Sequence, residues 1–371
     1  MKVAFAYRKV GRGAAVPNYC RELARGFSSR FETWVFAREI RDVPAVVRAV
    51  RFPFEFRSRR LEYSANSLIN LLLLDAYRAR ERFDILHTQD GDLVGGDIVT
   101  AHALLRVLFR FFNHLNPNHV AWLPRSPLLW SEDLVYRTRR YRHIIVTSEK
   151  LRDSLRTEYG IRGEDTTLVR LGVDPSVLRP DPSASSSLRA NLSLPEGSRI
   201  LLHVSTDFER KGLRTVLRCL TRLPREFVLI VAGKGHTAPF IDLARKLDVV
   251  DRIRFLGYVS NLERIYPAAD LFLFPTQFDF FGYPVLEAMS CGVPPIVTAD
   301  AGVAEIIRDG RNGLLVSDPD DDEELADRVR SADGGGDASQ IGREARVTAE
   351  QTSVTRMIEE TQRVYERVSL R

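Results

Sequence analysis

The sequence has few cysteines and no long hydrophobic run, and each shortage excludes a class of protein. The 371 residues include only Cys20, Cys219 and Cys291, too few and too widely spaced for a disulfide framework or a zinc site. The longest apolar run, at residues 68–74, falls far short of a membrane span. A charged pair at residues 8 and 9 comes too early for a signal peptide. We therefore expect a globular protein of the cytoplasm, where cysteines stay reduced.

The sequence also lacks a convincing metal or nucleic-acid motif. Its seven histidines show no spacing typical of zinc ligands. Asp-x-Asp occurs at Asp90 and Asp92, which we interpret as a turn after a strand, and within residues 318–322, which we interpret as the start of a helix. The arginines of the first half are scattered singly, without the interleaved aromatics of a nucleic-acid site. We expect no metal, no cofactor and no nucleic-acid partner.

Positive charge is concentrated in the first half of the chain. The net charge is +5, but residues 1–180 carry 30 Lys and Arg against 20 Asp and Glu, and the remainder carries 24 against 29. A basic half is typical of a protein that meets an anionic acceptor or membrane surface. Residues 48–60 and 104–112 mix Arg with Phe and Leu, which suits peripheral docking on the inner face of a membrane. A buried apolar core with a solvated row of Arg explains these two segments equally well.

Short apolar runs alternate with segments of helical period along the chain, the pattern of βα units and parallel sheets. Since 371 residues exceed what one hydrophobic core usually organises, we expect two α/β domains. A Pro/Ser-rich stretch at residues 179–187 is interpreted as the linker. The expected division is an N-terminal domain at 1–178, a C-terminal domain at 179–350, and an amphipathic helix at 351–371 that packs back on the first domain.

Ten strands and three helices are predicted individually from these runs. The predicted strands are residues 2–7, 31–37, 84–87, 98–102 and 144–148 in the first half, and 200–205, 227–232, 253–256, 271–274 and 295–298 in the second. The predicted helices are residues 18–28, 64–82 and 353–371.

The most informative stretch is DFFGYPVLE at residues 279–287, directly after the strand predicted at 271–274. Gly282 permits a tight turn and the close approach of a ligand, and a helix is predicted to begin at Tyr283. The free N–H groups and the dipole of that helix form an anion site suited to a diphosphate. Asp279 and Glu287 can bracket a polar ligand, although a solvated turn Asp and a surface Glu fit the spacing equally well.

The motif Asp-x-Phe-Gly-x-x-x-x-Glu-Ala-Met at residues 279–289 resembles the paired-acid motif of the retaining glycosyltransferases of glycosyltransferase family 4. Further segments match that family in order, namely LGVD at 171–174, DFERKG at 207–212, FLGYV at 255–259, and GVAEI with GRNGL within 302–314. The form of DFERKG is particularly similar to lipopolysaccharide core glucosyltransferases. The resemblance is good over residues 140–320 and loose before residue 140. It implies the GT-B fold, an α/β arrangement of two Rossmann-like domains facing across a cleft.

The resemblance also implies an activity. It implies metal-independent transfer of a sugar, with retention of configuration, from a nucleotide-diphosphate donor such as a UDP-sugar to a hydroxyl of a cell-envelope glycan or lipid-linked acceptor. The same chemistry on a small soluble acceptor, such as a sugar phosphate or aminocyclitol, and a non-catalytic donor-binding homologue are the alternatives. Two departures bear on the donor sugar: Asp279 stands where the family usually has Glu, and Thr206 where many members have Arg.

Individual roles follow from the residues and from the resemblance. Arg210 and Lys211 can neutralise a leaving diphosphate, although surface basic pairs are common. The resemblance places Glu287 at the nucleotide ribose and Asp279 at the sugar hydroxyls or the anomeric carbon. His102, at the end of a predicted strand, matches a family histidine that touches the donor sugar, and a packed or surface histidine is the plain alternative.

These considerations define the predicted site. A glycine turn after the first strand would let its loop approach the diphosphate. The predicted catalytic residues are His102, Lys211 and Asp279. The predicted donor-binding residues are Gly13, Arg210, Lys211, Gly257, Tyr258, Gly282, Tyr283, Val285, Leu286 and Glu287.

Overall fold

Parallel strands form the centre of each of two units in the computed structural model, which describes residues 1–11, 15–52, 72–91, 93–115, 127–334 and 337–370. Unit 1 comprises Met1–Gly172 and Val354–Arg371, and unit 2 comprises Val173–Ser353. The division therefore falls a little before the expected boundary at residue 178. The stretch interpreted as a linker lies inside unit 2.

The sheet of unit 1 has seven parallel strands in the order β5-β3-β1-β6-β7-β8-β9. Its strands are β1 (Lys2–Ala6), β3 (Glu32–Ala37), β5 (Arg48–Arg51), β6 (Ile85–Gln89), β7 (Ile98–Ala101), β8 (His143–Val146) and β9 (Thr166–Leu168). A small ladder joins β2 (Lys9–Val10) to β4 (Glu39–Ile40). The central strands are buried on both faces, and β1 and β7 are mostly apolar accordingly. Strand β6 also buries the polar residues His87, Thr88 and Gln89.

The described helices of unit 1 that precede the division between the units include α1 (Ala15–Phe27), α2 (Leu105–Leu115), α3 (Pro127–Thr138) and α4 (Glu149–Tyr159). Residues 72–81 are also helical. The ends of α4 show local control by sequence, because the Ser148 hydroxyl accepts the Leu151 N–H at 3.1 Å and Gly160 ends the helix with φ 62°.

The sheet of unit 2 has six parallel strands in the order β12-β11-β10-β13-β14-β15. They are β10 (Arg199–Val204), β11 (Phe227–Ala232), β12 (Ile253–Gly257), β13 (Leu271–Phe274), β14 (Pro295–Thr298) and β15 (Leu314–Val316). Since β10 has β11 on one side and β13 on the other, the strand order reverses there. Ligands of such sheets bind at the carboxyl ends of the strands, at this switch point.

The helices of unit 2 are α5 (Ala184–Asn191), α6 (Leu213–Thr221), α7 (Ala238–Lys246), α8 (Tyr283–Ser290), α9 (Asp322–Gly334) and α10 (Asp337–Gln351). Helix α6 shows how they attach to the sheet. Its Leu213, Val216, Leu217 and Leu220 are buried in one core cluster with strand residues such as Leu229. Each such side chain contributes about 1.5–3 kcal/mol by leaving water.

The last helix, α11 (Val354–Ser369), returns to unit 1, where it packs against α1. Its apolar face buries Met357, Val364 and Val368. The Tyr365 hydroxyl lies 2.6 Å from Nδ1 of the buried His87 on β6. A buried hydrogen bond therefore joins the end of the chain to the central sheet of unit 1.

All ten individually predicted strands are confirmed, with ends shifted by at most two residues. The helices predicted at 18–28 and 353–371 correspond to α1 and α11, and for the one predicted at 64–82 the structure describes only residues 72–81 as helix. The linker interpretation is wrong in part, because α5 begins at Ala184. The strands β5, β9 and β15 are not among the predicted ones; β5 (RAVR) and β9 (TTL) are partly exposed edge strands without an apolar run.

Only part of the two Arg/Phe segments belongs to the described residues. Phe52 is buried and packs on Phe36, with 6.4 Å between ring centroids, and Leu104 is fully buried. Arg106 and Arg110 form ion pairs with Asp133 and Glu158 respectively. The buried-core interpretation therefore holds for Phe52 and Leu104, whereas residues 53–60 lie outside the described part. No helix among the described residues is long and apolar enough to span a membrane.

Candidate active site

The loop that follows β10 carries the predicted cations and lies against the loop that follows β13. Gly212 ends this loop with φ 78°, and a Cβ at that position would lie 1.9 Å from the carbonyl oxygen of Pro275. Only glycine allows this close approach. The Thr276 hydroxyl donates to the Arg210 carbonyl at 3.1 Å, which joins the two loops next to Lys211.

Lys211 and Asp279 form a largely buried ion pair between the two loops. The Lys211 ammonium also lies 5.0 Å from the ring centroid of Phe274. Burial lowers the pKa of Lys211 to about 8, against the opposing charge of Asp279. Burial raises the pKa of Asp279, but the charges of Lys211 and Arg210 outweigh it and the pKa lies below its usual value. Both groups are therefore charged at neutral pH.

Arg210 bridges the same two loops. Its Nε donates to Asp207 at 2.9 Å, and one terminal nitrogen donates to the carbonyl oxygen of Phe278 at 2.8 Å. The planar guanidinium can make both contacts at once, which fixes its direction. The structure thus brings Arg210 and Lys211 together with Asp279 at the switch point of unit 2.

The turn between β13 and α8 has the conformation expected of an anion site. Gly282 adopts φ 100° and ψ 50°, and α8 begins at Tyr283, as predicted, without a side-chain cap. Asp279 is fixed within this turn because its carboxylate accepts the Phe281 N–H at 3.1 Å and its carbonyl accepts the Gly302 N–H at 3.2 Å. The positive end of the α8 dipole, at Tyr283, therefore lies four residues after Asp279.

Glu287 lies half-buried on α8 and has a partner that sequence reasoning missed. The hydroxyl of the fully buried Tyr266 donates to its carboxylate at 2.7 Å. Burial raises the pKa of Glu287 to about 7, although the Tyr266 hydrogen bond acts in the opposite direction. No local sequence signal identifies Tyr266, which lies in a short helical turn before β13.

Two other predicted donor-binding residues, Val285 and Leu286, are placed differently from the rest. Their side chains are fully buried in unit 2. Donor binding by these two residues stays a prediction, and with buried side chains it would involve their main-chain atoms. The reason is the apolar face of α8, which packs on the sheet and holds the N-terminus of the helix in place.

The loop after β12 contains the predicted Gly257 and Tyr258. Gly257 adopts φ 65°, and its carbonyl accepts the Gly233 N–H at 2.8 Å. Tyr258 is 52% exposed, and the Lys234 ammonium lies 4.2 Å from its ring centroid. Sequence reasoning missed Lys234, although a Gly-Lys-Gly triplet directly after a strand is a signal for a basic loop at the carboxyl edge of a sheet.

His102 belongs to unit 1 and follows β7. Its backbone N–H donates to Asp90 at 2.7 Å, and its Nε2 lies 3.0 Å from the Gln89 side-chain oxygen. Burial lowers the pKa of His102 to about 3, so the ring is neutral. With the Gln89 oxygen as acceptor, Nε2 carries the proton and Nδ1 is an acceptor, buried and without a hydrogen-bond partner among the described residues.

The remaining predictions concern Gly13 and the Asp-x-Asp pair. Gly13 and Asp92 lie outside the described residues. The Asp90 carboxylate accepts the backbone N–H groups of His102 and Ala103, and burial raises its pKa to about 6. Asp90 is therefore a turn residue, as interpreted. Within the described ranges no group of three or more His, Cys, Asp or Glu residues is arranged to hold a metal ion.

Both units have the 3-2-1-4-5-6 strand order of doubly wound folds, which unit 1 extends by one edge strand, β9. Two family models match the chain, Glycosyltransferase Family 4 over residues 16–177 and Glycosyl transferases group 1 over residues 185–346. Two parallel-sheet α/β units with these matches define a protein of the GT-B class. The chain belongs to the family of GT-B glycosyltransferases.

Similar proteins come from several bacteria. The chain is 31% identical over 155 residues to lipopolysaccharide glucosyltransferase WaaG of Escherichia coli K12, covering 41% of each chain. It is 32% identical over 175 residues to the D-inositol 3-phosphate glycosyltransferase of Mycobacterium bovis BCG, covering 44% of this chain and 36% of the relative. The matched stretch thus spans less than half the length of these two relatives.

Solved structures share the fold at low identity. Anabaena HepE, in a complex with UDP-glucose, has a TM-score of 0.75 to this chain at 19% identity, covering 98% of this chain and 100% of the HepE chain. At this identity the likeness is one of fold.

Proposed function

We propose that this protein is a retaining, metal-independent glycosyltransferase that moves a sugar from a UDP-sugar to a hydroxyl of a glycan or lipid-linked acceptor. The observation that carries the proposal is the convergence of Arg210, Lys211 and Asp279 with the N-terminus of α8 at the carboxyl ends of β10 and β13. Two cations, a carboxylate and a helix N-terminus match the chemistry of a sugar diphosphate. Retention is inferred from the paired-acid motif.

In this proposal the protein stabilises the leaving group. As the bond between the anomeric carbon and the phosphate oxygen breaks, negative charge accumulates on the diphosphate. Arg210, Lys211 and the N–H groups of α8 would stabilise that charge without a metal ion. Glu287 would accept a hydrogen bond from the ribose, and Asp279 would accept hydrogen bonds from the sugar. His102, which belongs to unit 1, stays a predicted catalytic residue with a neutral ring.

A UDP-sugar is the proposed donor because a GT-B structure of the same fold, that of HepE, holds UDP-glucose and because WaaG is named a glucosyltransferase. The test is incubation with UDP-glucose, UDP-galactose, UDP-N-acetylglucosamine and GDP-mannose, with release of the nucleoside diphosphate as the readout. We expect release from a UDP-sugar. Tight binding of UDP without any release or transfer would support the non-catalytic alternative.

Lys211→Ala tests the site itself. Losing a charged contact to the diphosphate costs about 2 kcal/mol, and we therefore expect kcat/KM to fall by about 30-fold or more. Lys246→Ala is the matched control, since Lys246 is an exposed lysine at the end of α7 in the same unit. Equal rates for the two variants would remove Lys211 from the donor site.

A small soluble acceptor is a second candidate because one relative is named a D-inositol 3-phosphate glycosyltransferase. Competition between an inositol phosphate and a lipid-linked glycan for the same labelled donor decides between the acceptor classes. We expect label in the glycan. Exclusive labelling of the inositol phosphate would favour the soluble acceptor.

A further inference from the structure

The cations of the candidate donor site already have anionic or carbonyl partners within the chain. Arg210 is held by Asp207 and by the carbonyl of Phe278. Lys211 is paired with Asp279, and the two side chains are only 10% and 19% exposed. A diphosphate that binds at this site would need the Lys211 ammonium, but the carboxylate of Asp279 is already paired with it.

Both carboxylate oxygens of Asp279 also have hydrogen-bond partners within the chain. One carboxylate oxygen accepts the backbone N–H of Phe281 at 3.1 Å, and the other accepts from Lys211. Each oxygen thus has a donor within unit 2. A sugar hydroxyl would compete with the Lys211 ammonium for Asp279, as a phosphate would compete with Asp279 for Lys211.

We propose that Asp279 is an internal competitor for the diphosphate: the incoming donor takes Lys211 from Asp279, and the released carboxylate then binds the donor sugar. This inference rests on the proposed function and deepens it. Binding of the diphosphate and recognition of the sugar become coupled, because binding of the diphosphate to Lys211 releases the Asp279 carboxylate that the sugar needs. Asp279 acts as a positioning residue for Lys211 before it contacts the sugar.

Elementary electrostatics favours a mechanism in which Lys211 exchanges Asp279 for the diphosphate over one in which Lys211 first loses Asp279 and stays unpaired. A buried ammonium without an anion is costly, so Lys211 keeps Asp279 until another anion replaces it. Lysine has a flexible four-carbon stem and a compact charge, which suit a change of partner. Arg210 has two fixed partners in the same loops and can hold the diphosphate site while Lys211 moves.

The experiment is a double-mutant cycle read by calorimetric binding of UDP and of inorganic pyrophosphate. If nine of ten free molecules hold the Lys211–Asp279 pair, removing the competitor tightens binding about tenfold. We therefore expect Asp279→Asn to bind UDP about tenfold more tightly than the wild type while turnover falls. In a Lys211→Ala background, the same Asp279→Asn change should have no effect on UDP affinity.

The matched control is Glu209→Gln, which removes one negative charge from the same loop. Glu209 pairs with Arg214 and is half-exposed. We expect a change in UDP affinity of less than about twofold, because exposed charges are screened. Thermal unfolding checks every variant, and Asp279→Ser provides a second carboxylate deletion if Asp279→Asn does not fold.

Two results would overturn the inference while leaving the proposed function intact. In the first, Asp279→Asn and Asp279→Ser bind UDP no more tightly than the wild type does, while Lys211→Ala loses UDP binding. The other is a tighter binding that persists in the Lys211→Ala background, which would indicate direct repulsion between Asp279 and the phosphate. UDP affinity equal to that of the wild type in Lys211→Ala would instead contradict the proposed donor site itself.

Discussion

Lys211 and Glu287 are the two residues of the candidate site whose charge changes near neutral pH. Burial lowers the pKa of Lys211 to about 8 and raises that of Glu287 to about 7. The proposed roles require a protonated Lys211 and an ionised Glu287. Both conditions are best met between the two pKa values, and burial in unit 2 is the main cause of both shifts.

These two pKa values predict a bell-shaped dependence of kcat/KM on pH. Below about pH 7, Glu287 takes up a proton and loses strength as an acceptor, and above about pH 8, Lys211 loses its charge. We expect kcat/KM for the free enzyme to fall on both sides of this interval. Glu287→Gln should lower kcat/KM but abolish the acidic limb. An acidic limb that survives in Glu287→Gln would assign that titration to another group.

The element that shapes the site is the pair of loops after β10 and β13. Gly212 controls their approach, because a Cβ there would meet the Pro275 carbonyl at 1.9 Å. Gly197 has nearly the same φ, 77° against 78°, but a Cβ there would have no neighbour within 4 Å. The two glycines therefore separate the effect of backbone conformation from the effect of the close contact.

We expect Gly197→Ala to lower the free energy of unfolding by about 1 kcal/mol, the strain of a left-handed alanine. Gly212→Ala should cost about 3 kcal/mol or more, because the two loops must also move apart. It should further weaken UDP binding, whereas Gly197→Ala should leave UDP binding unchanged. Urea unfolding and calorimetry supply the two measurements. Equal losses of stability for both variants would contradict the close contact at Gly212.

At the scale of the whole molecule, charge neutralisation by the protein replaces a metal ion in the proposed chemistry. Arg210, Lys211 and the N-terminus of α8 supply the positive charge that Mg²⁺ supplies in many other transferases. We therefore expect transferase activity to persist at full rate in excess EDTA. A strict requirement for added Mg²⁺ or Mn²⁺ would contradict this prediction and direct attention to Asp90 and Asp92.

The excess positive charge of residues 1–180 predicts a second property of the whole chain. These residues carry 30 basic against 20 acidic side chains. We expect the protein to bind vesicles that contain anionic lipid better than neutral ones. Binding should weaken as salt rises, because exposed charges are screened over about 10 Å at 0.1 M ionic strength. Co-flotation without lipid preference at low salt would contradict the membrane prediction and favour a soluble acceptor.

The sequence by itself determined the fold class, most strands and the start of α8. Buried parallel strands are continuous apolar runs, and Gly282 before Tyr283 marks a turn into a helix, so local pattern is sufficient for both. The resemblance to the family also predicted Lys211 and Asp279 as site residues. It offered no sign that the two would be paired with each other.

Only the tertiary structure decided that pairing. Lys211 and Asp279 lie 68 positions apart and meet because β10 and β13 are adjacent although two strands separate them in the chain. Tyr266 reaches Glu287 only through folding as well. Periodicity reports which face of an element is apolar, but the order of strands in a sheet follows from long-range packing. That order also decides which charges share a buried environment and where their pKa values lie.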